Sequence, residues 1–381
     1  MTEDLHTGAE PPVIVRQDGA LLRITLNRPR AINALTRGMA EVVRDAIRGA
    51  AETPGIAAIW LDGAGERGFC GGGDVKAMSS DGLAGALAFL AAEYRADLAT
   101  ARSGVPVIGV MDGITMGGGI GLTGHSALRI VTERSRLAMP ETRIGIVPDV
   151  GGHLLLARAP GRLGEMLAIS SGSMGAGDAL MLGFADHFVP SERLADLAGR
   201  IAAGDDPEVV ARDIAAESLD GSTGAAPVVE TPVLDARVWF DPIADAALGH
   251  ADRAGADSVL ADPVGAAERL VRGLETAEHP RARALGAEVS ELCPTSVAVT
   301  LAQLARTRRD GLGLAEVLAD DYRVLGRLLA RPDFAEGVRA QLIDKDGSPR
   351  WAPDSIEGLD RAEIARILAP HADGEEPLDL D

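Results

Sequence analysis

Two glycine-rich turns and two acids carry the chemistry this sequence is equipped for. Gly113-Ile114-Thr115-Met116-Gly117-Gly118-Gly119-Ile120-Gly121 follows one apolar run, and Phe69-Cys70-Gly71-Gly72-Gly73-Asp74 follows another. Without Cβ atoms in the way, backbone N–H groups in such turns can come close to a ligand. A pair of N–H groups from separate turns is what stabilises charge building on a carbonyl oxygen. Two acids come next, Glu141 directly after Pro140 and Asp149 directly after Pro148. A carboxylate behind a proline suits the first turn of a helix, where it meets the positive end of the dipole. Passing through Gly145 and Pro148, the two acids can converge across a loop. Each feature also has a plainer reading: a tight strand-to-helix connection for either turn, and a capping role for either acid. His153 reads as a structural hydrogen-bonder, and helical periodicity alone would put Glu93 on a solvated face. Neither turn is a nucleotide loop, since the wider glycine spacing of a dinucleotide fingerprint and a following Gly-Lys-Ser/Thr are both missing.

The elements that must position these residues alternate. Val13 to Arg16 and Leu21 to Leu26 read as a hairpin around Asp18-Gly19. Met39, Val42, Val43, Ala46 and Ile47 form a helical stripe with Thr36 as N-cap. The runs Ala57 to Leu61, Val105 to Val110 and Ala127 to Val131 read as strands, with a long helix over Ala84 to Ala101. Helices follow at Leu154 to Ala159, Leu163 to Ser170 and Ala176 to Met181, with Phe184 to Val189 a last strand. No residue repeat of fixed period is present, so the strand, glycine turn, helix recurrence is one of architecture. The expected core is therefore α/β and covers residues 1–203. A second region, 204–381, reads as all-helical, from apolar spacing in Ile243 to Leu248, Val264 to Leu274, Val297 to Arg306, Leu314 to Leu329 and Phe334 to Leu342. A Gly/Ser/Thr/Pro-rich surface connection is expected over Ser218 to Pro232, and an acidic, frayed tail after Ala372.

Composition narrows the partners. The 57 acidic against 37 basic residues give a net charge of -20, which argues against a nucleic-acid groove or an anionic membrane surface. Cys70 and Cys293 are the only two cysteines and are far apart, so neither a disulfide framework nor a zinc site is expected. The acidic start and the lack of a long apolar run lead to the expectation of a cytoplasmic protein without a membrane span. No metal or redox cofactor is expected.

The motifs taken together resemble the crotonase (enoyl-CoA hydratase/isomerase) superfamily. Asn27-Arg28-Pro29, Asn33-Ala34-Leu35, the two glycine turns and Met139-Pro140-Glu141 occur in its order and spacing over roughly residues 13 to 203. Within it, Gly145-Ile146-Val147-Pro148-Asp149-Val150-Gly151-Gly152, Pro294-Thr295-Ser296, Glu336-Gly337-Val338-Arg339-Ala340, Ile343-Asp344-Lys345-Asp346 and Ser348-Pro349-Arg350-Trp351 resemble the hydrolase branch. The resemblance is weakest between 204 and 290.

The resemblance implies a crotonase-like spiral of ββα units with an all-helical C-terminal region, an acyl-CoA substrate, and an oxyanion hole from the N–H groups of Gly71 and Gly118. It puts Glu93, Gly118, Glu141 and Asp149 at substrate-binding positions. The hydratases of the superfamily use two glutamates, and the first of these falls on Gly121. The implied reaction is therefore hydrolysis of a short, branched 3-hydroxyacyl-CoA thioester, with 3-hydroxyisobutyryl-CoA, from valine breakdown, the expected substrate. Glu141 is either the nucleophile or the general base on water, and Asp149 its partner. The alternatives are an enzyme of hydratase or isomerase type on another acyl-CoA, and a catalytically silent CoA-binding protein. Arg28, Arg30 and Lys76 are the candidate cations for the CoA phosphates, and coenzyme A enters only as part of the substrate. The superfamily contains many trimers and dimers of trimers, so a homo-oligomer is a further expectation, with the helical region covering either its own site or a neighbour's.

Overall fold

The computed structural model describes residues 10–219 and 230–380. Most of the polar arm before Val13 and most of the Gly/Ser/Thr/Pro-rich connection lie outside them. The chain opens with β1 (Val13–Asp18) and β2 (Leu21–Leu26), the expected antiparallel hairpin, with Asp18 opposite Leu21 and Gly19-Ala20 between them. Then come α1 (Arg37–Ala50), β3 (Ala58–Gly63), α2 (Val75–Ser80) and α3 (Gly82–Ala101). They are followed by β4 (Val107–Met111), β5 (Ile114–Met116), α4 (Gly118–Gly124), β6 (Leu128–Val131), β7 (Arg136–Ala138) and α5 (Gly152–Arg158). Two short strands, β8 (Ser173–Met174) and β9 (His187–Phe188), complete the set.

Six strands form one sheet in the order β1-β2-β3-β4-β6-β9, parallel from β2 onward. A second sheet, β5-β7-β8, carries the turn that ends in Gly118. The middle of the large sheet, β3 and β4, is buried on both faces, which is why these strands read as continuous apolar runs, whereas the edge strand β1 is mostly exposed. Alternate residues point to opposite faces: Ala58, Trp60, Ile108 and Val110 pack under the helices Leu194–Ala202 and Pro207–Leu219. Ile59, Leu61, Val107 and Met111 join the main core with α1 and α3.

The helix α1 forms for the reasons its sequence suggests. Thr36 accepts a hydrogen bond from Met39 N, a cap worth about 1 kcal/mol, and Met39, Val43 and Ile47 are buried. Val42 is 44% exposed and stands off the buried stripe. By contrast α3 is buried nearly all round, packed among α1, α2, α4 and the helix Leu314–Leu328.

Every described regular element after β9 is helical. The expected helices occur, and Arg253–Ala261, Pro280–Ser290 and Arg361–Leu368 occur beside them. One contiguous apolar cluster runs from Val13 of the strand-built part to Ile367 of the helical part. The tail after Ala372 departs from the frayed segment expected. Arg327 holds Glu375 at 2.9 and 2.6 Å, and Leu378 and Leu380 pack against the core. Acidic composition suggested solvation, but a guanidinium and an apolar groove are both waiting for that tail.

Candidate active site

The two glycine turns lie side by side. Cys70 N donates to Ile114 O at 3.1 Å and Met116 N to Cys70 O at 2.9 Å, so the first turn runs parallel to β5. Gly117, at φ +47°, swings the chain from β5 into α4. A Cβ on Gly118 would sit 2.0 Å from Glu93 Oε1, so any side chain there would have to push that carboxylate aside.

One expected donor is already engaged. Gly71 N donates to Ile32 O at 2.8 Å and is therefore spent on the fold, which corrects its assignment to an oxyanion hole. Gly73, two residues on, has an N–H with no partner among the described residues, as does Gly118 at the first position of α4. Gly73 and Gly118 are thus the two amides available to a carbonyl oxygen. Spacing could not separate Gly71 from Gly73, because the choice depends on which amide the Ile32 carbonyl reaches.

Both turns open into a cavity of about 300 Å³ that is also lined by Glu93, Glu141 and Asp149. Glu141 starts a single 3₁₀ turn, Glu141–Ile144, directly behind Pro140. Its exposure is 6%, that of Glu93 2% and that of Asp149 6%. Glu141 Oε2 and Glu93 Oε1 have no hydrogen-bond partner among the described residues. Burial, reinforced by the neighbouring Asp149, holds both glutamates well above the usual carboxylate range. Asp149 is pushed up to about 7 by burial and then by Asp321, although the Tyr94 hydroxyl donates to its Oδ2 at 2.6 Å. Asp149 is not a side-chain cap. Its carbonyl receives Gly152 N at 2.6 Å, and its carboxylate, with the Tyr94 hydroxyl on one oxygen, lines the cavity. His153 is 1% exposed and its Nδ1 lies 2.8 Å from Asp321 Oδ1, but neither ring nitrogen makes a hydrogen bond among the described residues, so the structural hydrogen-bonding expected of it is not seen.

Position 121 is closed by geometry as well as by type. A Cβ there would meet Asp97 Oδ2 at 2.8 Å and Val150 Cβ at 2.6 Å. A glutamate at 121 and the buried Asp97 exclude one another.

None of the expected CoA cations lines this cavity, although Lys76 follows Val75, which does. Arg28 is paired with Asp74 at 3.1 Å and donates to Ala34 O, while Arg30 and Lys76 are exposed. The cation that does line the cavity is Arg143, bound to Glu288 and to Ser170 O. Its place two residues after Glu141 is the only sign of it in the sequence. Gln341 and Leu342 also line the cavity, from a π-helical turn, Arg339–Ile343, that follows the helix Pro332–Val338. The helical region therefore closes the cavity of its own chain. The turn is held by Arg339, which bonds Glu336, Asp344 and Asp346. The charged run around it was the available signal, but nothing in it says that Leu342 faces inward.

Two free amides on neighbouring glycine turns, opposed by buried carboxylates on an α/β core, are the arrangement of the crotonase class. The model of the enoyl-CoA hydratase/isomerase family matches residues 21–368, and the chain belongs to that family. It is 34% identical, over 96% of its length and 90% of the relative's, to a mitochondrial 3-hydroxyisobutyryl-CoA hydrolase of Gallus gallus. It is 33% identical to the Homo sapiens protein of the same name, over 94% and 89% of the two chains. Among solved structures, a carnitinyl-CoA dehydratase from Mycobacterium thermoresistibile aligns with a TM-score of 0.82 at 31% identity, covering 98% and 99% of the chains. An enoyl-CoA hydratase from Rhodobacter sphaeroides aligns with a TM-score of 0.79 at 36% identity, covering 97% and 100%. The relatives are named as mitochondrial and lend no support to a cytoplasmic location. No described helix is long and apolar enough to cross a membrane.

Proposed function

We propose that the protein is an acyl-CoA thioester hydrolase acting on a short, branched 3-hydroxyacyl-CoA, with 3-hydroxyisobutyryl-CoA its substrate, and that it serves valine breakdown. The observation that carries this reading is the single cavity in which the free amides of Gly73 and Gly118 face Glu93, Glu141 and Asp149, with no room for a carboxylate at position 121. The thioester oxygen lies under the two amides, which oppose the charge that develops when the carbonyl carbon is attacked. Glu141 serves in one of two ways. As general base it takes a proton from water, whose oxygen then bonds to the carbonyl carbon. As nucleophile it forms a mixed anhydride that water opens. In both routes the C–S bond breaks, the sulfur leaves as CoA thiol and the acid is released. A carboxylate kept above its usual pKa is the stronger base for either step. Asp149 accepts the 3-hydroxyl of the substrate or holds the water, and Glu93 fixes the acyl end beside Gly118.

The similar structures named as a dehydratase and a hydratase favour a second reading, addition or removal of water at the acyl chain. Incubation with 3-hydroxyisobutyryl-CoA and with crotonyl-CoA, followed by free-thiol release and by loss of the enoyl absorbance, separates the two. Thiol release from the first ester and no hydration of the second is expected. Hydration without thiol release would overturn the hydrolase reading.

A further inference from the structure

Asp149 is gripped from two sides by residues outside the cavity lining. On α3, next to Glu93, the fully buried Tyr94 donates its hydroxyl to Asp149 Oδ2 at 2.6 Å. From the helical region, Asp321 Oδ2 accepts Gly151 N at 3.2 Å, and Asp321 Oδ1 lies 2.8 Å from His153 Nδ1. Asp321 is 0% exposed. The turn between Asp149 and His153 needs such a tether. Val150 sits at φ +53°, a region a β-branched residue resists, and Gly151 follows at φ +73°.

We infer that Tyr94 and Asp321 are positioning residues for Asp149: Tyr94 aims its carboxylate into the cavity, and Asp321 holds the Val150-Gly151 turn that carries it. The inference rests on the reading of Asp149 as a substrate contact. The groups that face Asp149 and set its charge are Glu93, Tyr94 and Asp97 on α3, Glu141 on its 3₁₀ turn, His153 on α5 and Asp321 on Leu314–Leu328. Tyr94 favours the ionised form of Asp149 by donating to it, and Asp321 disfavours it as a nearby negative charge.

The two partners therefore predict opposite results in one experiment. The pH profile of kcat/KM for thiol release from 3-hydroxyisobutyryl-CoA is measured for wild type, Tyr94→Phe, Asp321→Asn and Asp149→Asn. Tyr94→Phe keeps the ring and loses one donor, so the acidic limb moves up by about one pH unit. Asp321→Asn keeps an acceptor for Gly151 N and loses the charge, so that limb moves down. A loss of packing alone would lower the profile without displacing it in opposite directions. An inactive Asp149→Asn together with unmoved limbs in the other two variants overturns the positioning roles and leaves the hydrolase reading standing. Near-normal hydrolysis by Asp149→Asn removes Asp149 as a substrate contact and overturns the positioning roles with it, while absence of thiol release from the wild type overturns the hydrolase reading itself.

Discussion

The strand-built part of the chain and the helical part contribute to the site in different currencies of precision. From the first come backbone amides at Gly73 and Gly118 and the carboxylates of Glu141 and Asp149, all placed by short turns, together with Glu93 from the long helix α3. From the second come side chains that close and brace: Gln341 and Leu342 on the cavity wall, and Asp321 behind Asp149. A backbone amide can be aimed only by the path of the chain, so its position is written locally in glycines. A bracing side chain can arrive on any helix that reaches the place, so its position is written in the packing. Changes in the first region should therefore reduce the chemical step, whereas changes in the second should alter fit, selectivity and stability.

The largest effect is expected at Glu141. Glu141→Gln should lower kcat by about 10²–10⁴-fold while leaving CoA-ester binding nearly intact, as checked by thiol release and by calorimetric titration. Near-normal turnover would remove the mechanism, and lost binding would place Glu141 with the bracing residues. Gly118→Ala comes next. Its Cβ would drive into Glu93 Oε1 and displace the amide, so a loss of about 10²-fold in kcat is expected from the same assay. A change confined to KM would mean that this amide binds ground state and transition state alike.

In the helical region, Leu342→Ala should leave kcat for the preferred ester within a few-fold and raise kcat/KM for longer acyl chains relative to it, since removing a few methylenes from a pocket wall is worth about 10–200-fold in discrimination. A panel of acyl-CoA esters of increasing length checks this, and an unchanged ranking would take Leu342 off the acyl wall. The smallest effect on turnover, with a clear one on stability, is expected where the two regions are pinned together. Glu165, 2% exposed, accepts from Arg162 at 2.7 Å and from Arg308 of the helix Pro294–Asp310 at 2.8 Å. Glu165→Ala would take a carboxylate from the buried Arg162, which keeps Asp245, and from the part-buried Arg308, which keeps Ala157 O, and cost about 1–3 kcal/mol, read as a lower denaturant midpoint with kcat little changed. Burial pushes the Glu165 carboxyl up, but Arg308 and Arg162 overcome it and hold the group below its ordinary value. The sign follows from linkage. A depressed folded-state pKa contributes stability that is present above the unfolded value and lost as pH falls through the folded one. Wild type should therefore lose this increment on acidification from about pH 4.5 downward, and Glu165→Ala should not.

The opening hairpin, the Thr36 cap, and the strands leading into both glycine turns were legible because each rests on a local rule of chain geometry. The sheet β5-β7-β8 was not, because strands of two or three residues have no periodicity to show. Glu93 illustrates the limit most directly. Its spacing on α3 suggests a solvated face, yet helices on several sides bury it beside Gly118, and only resemblance to a family singled it out.

From the sequence alone came the alternation of strand and helix, the two glycine turns, the acids Glu141 and Asp149 and the change to helices after the core. Each of these is a matter of residue type and near-neighbour spacing, which chain stereochemistry converts directly into local structure. Tertiary structure alone decided that Gly73 and not Gly71 keeps a free amide, that Asp97 fills the space at 121, and that Tyr94 and Asp321 hold Asp149. These depend on which groups from distant parts of the chain satisfy one another once buried, and no local rule states that in advance.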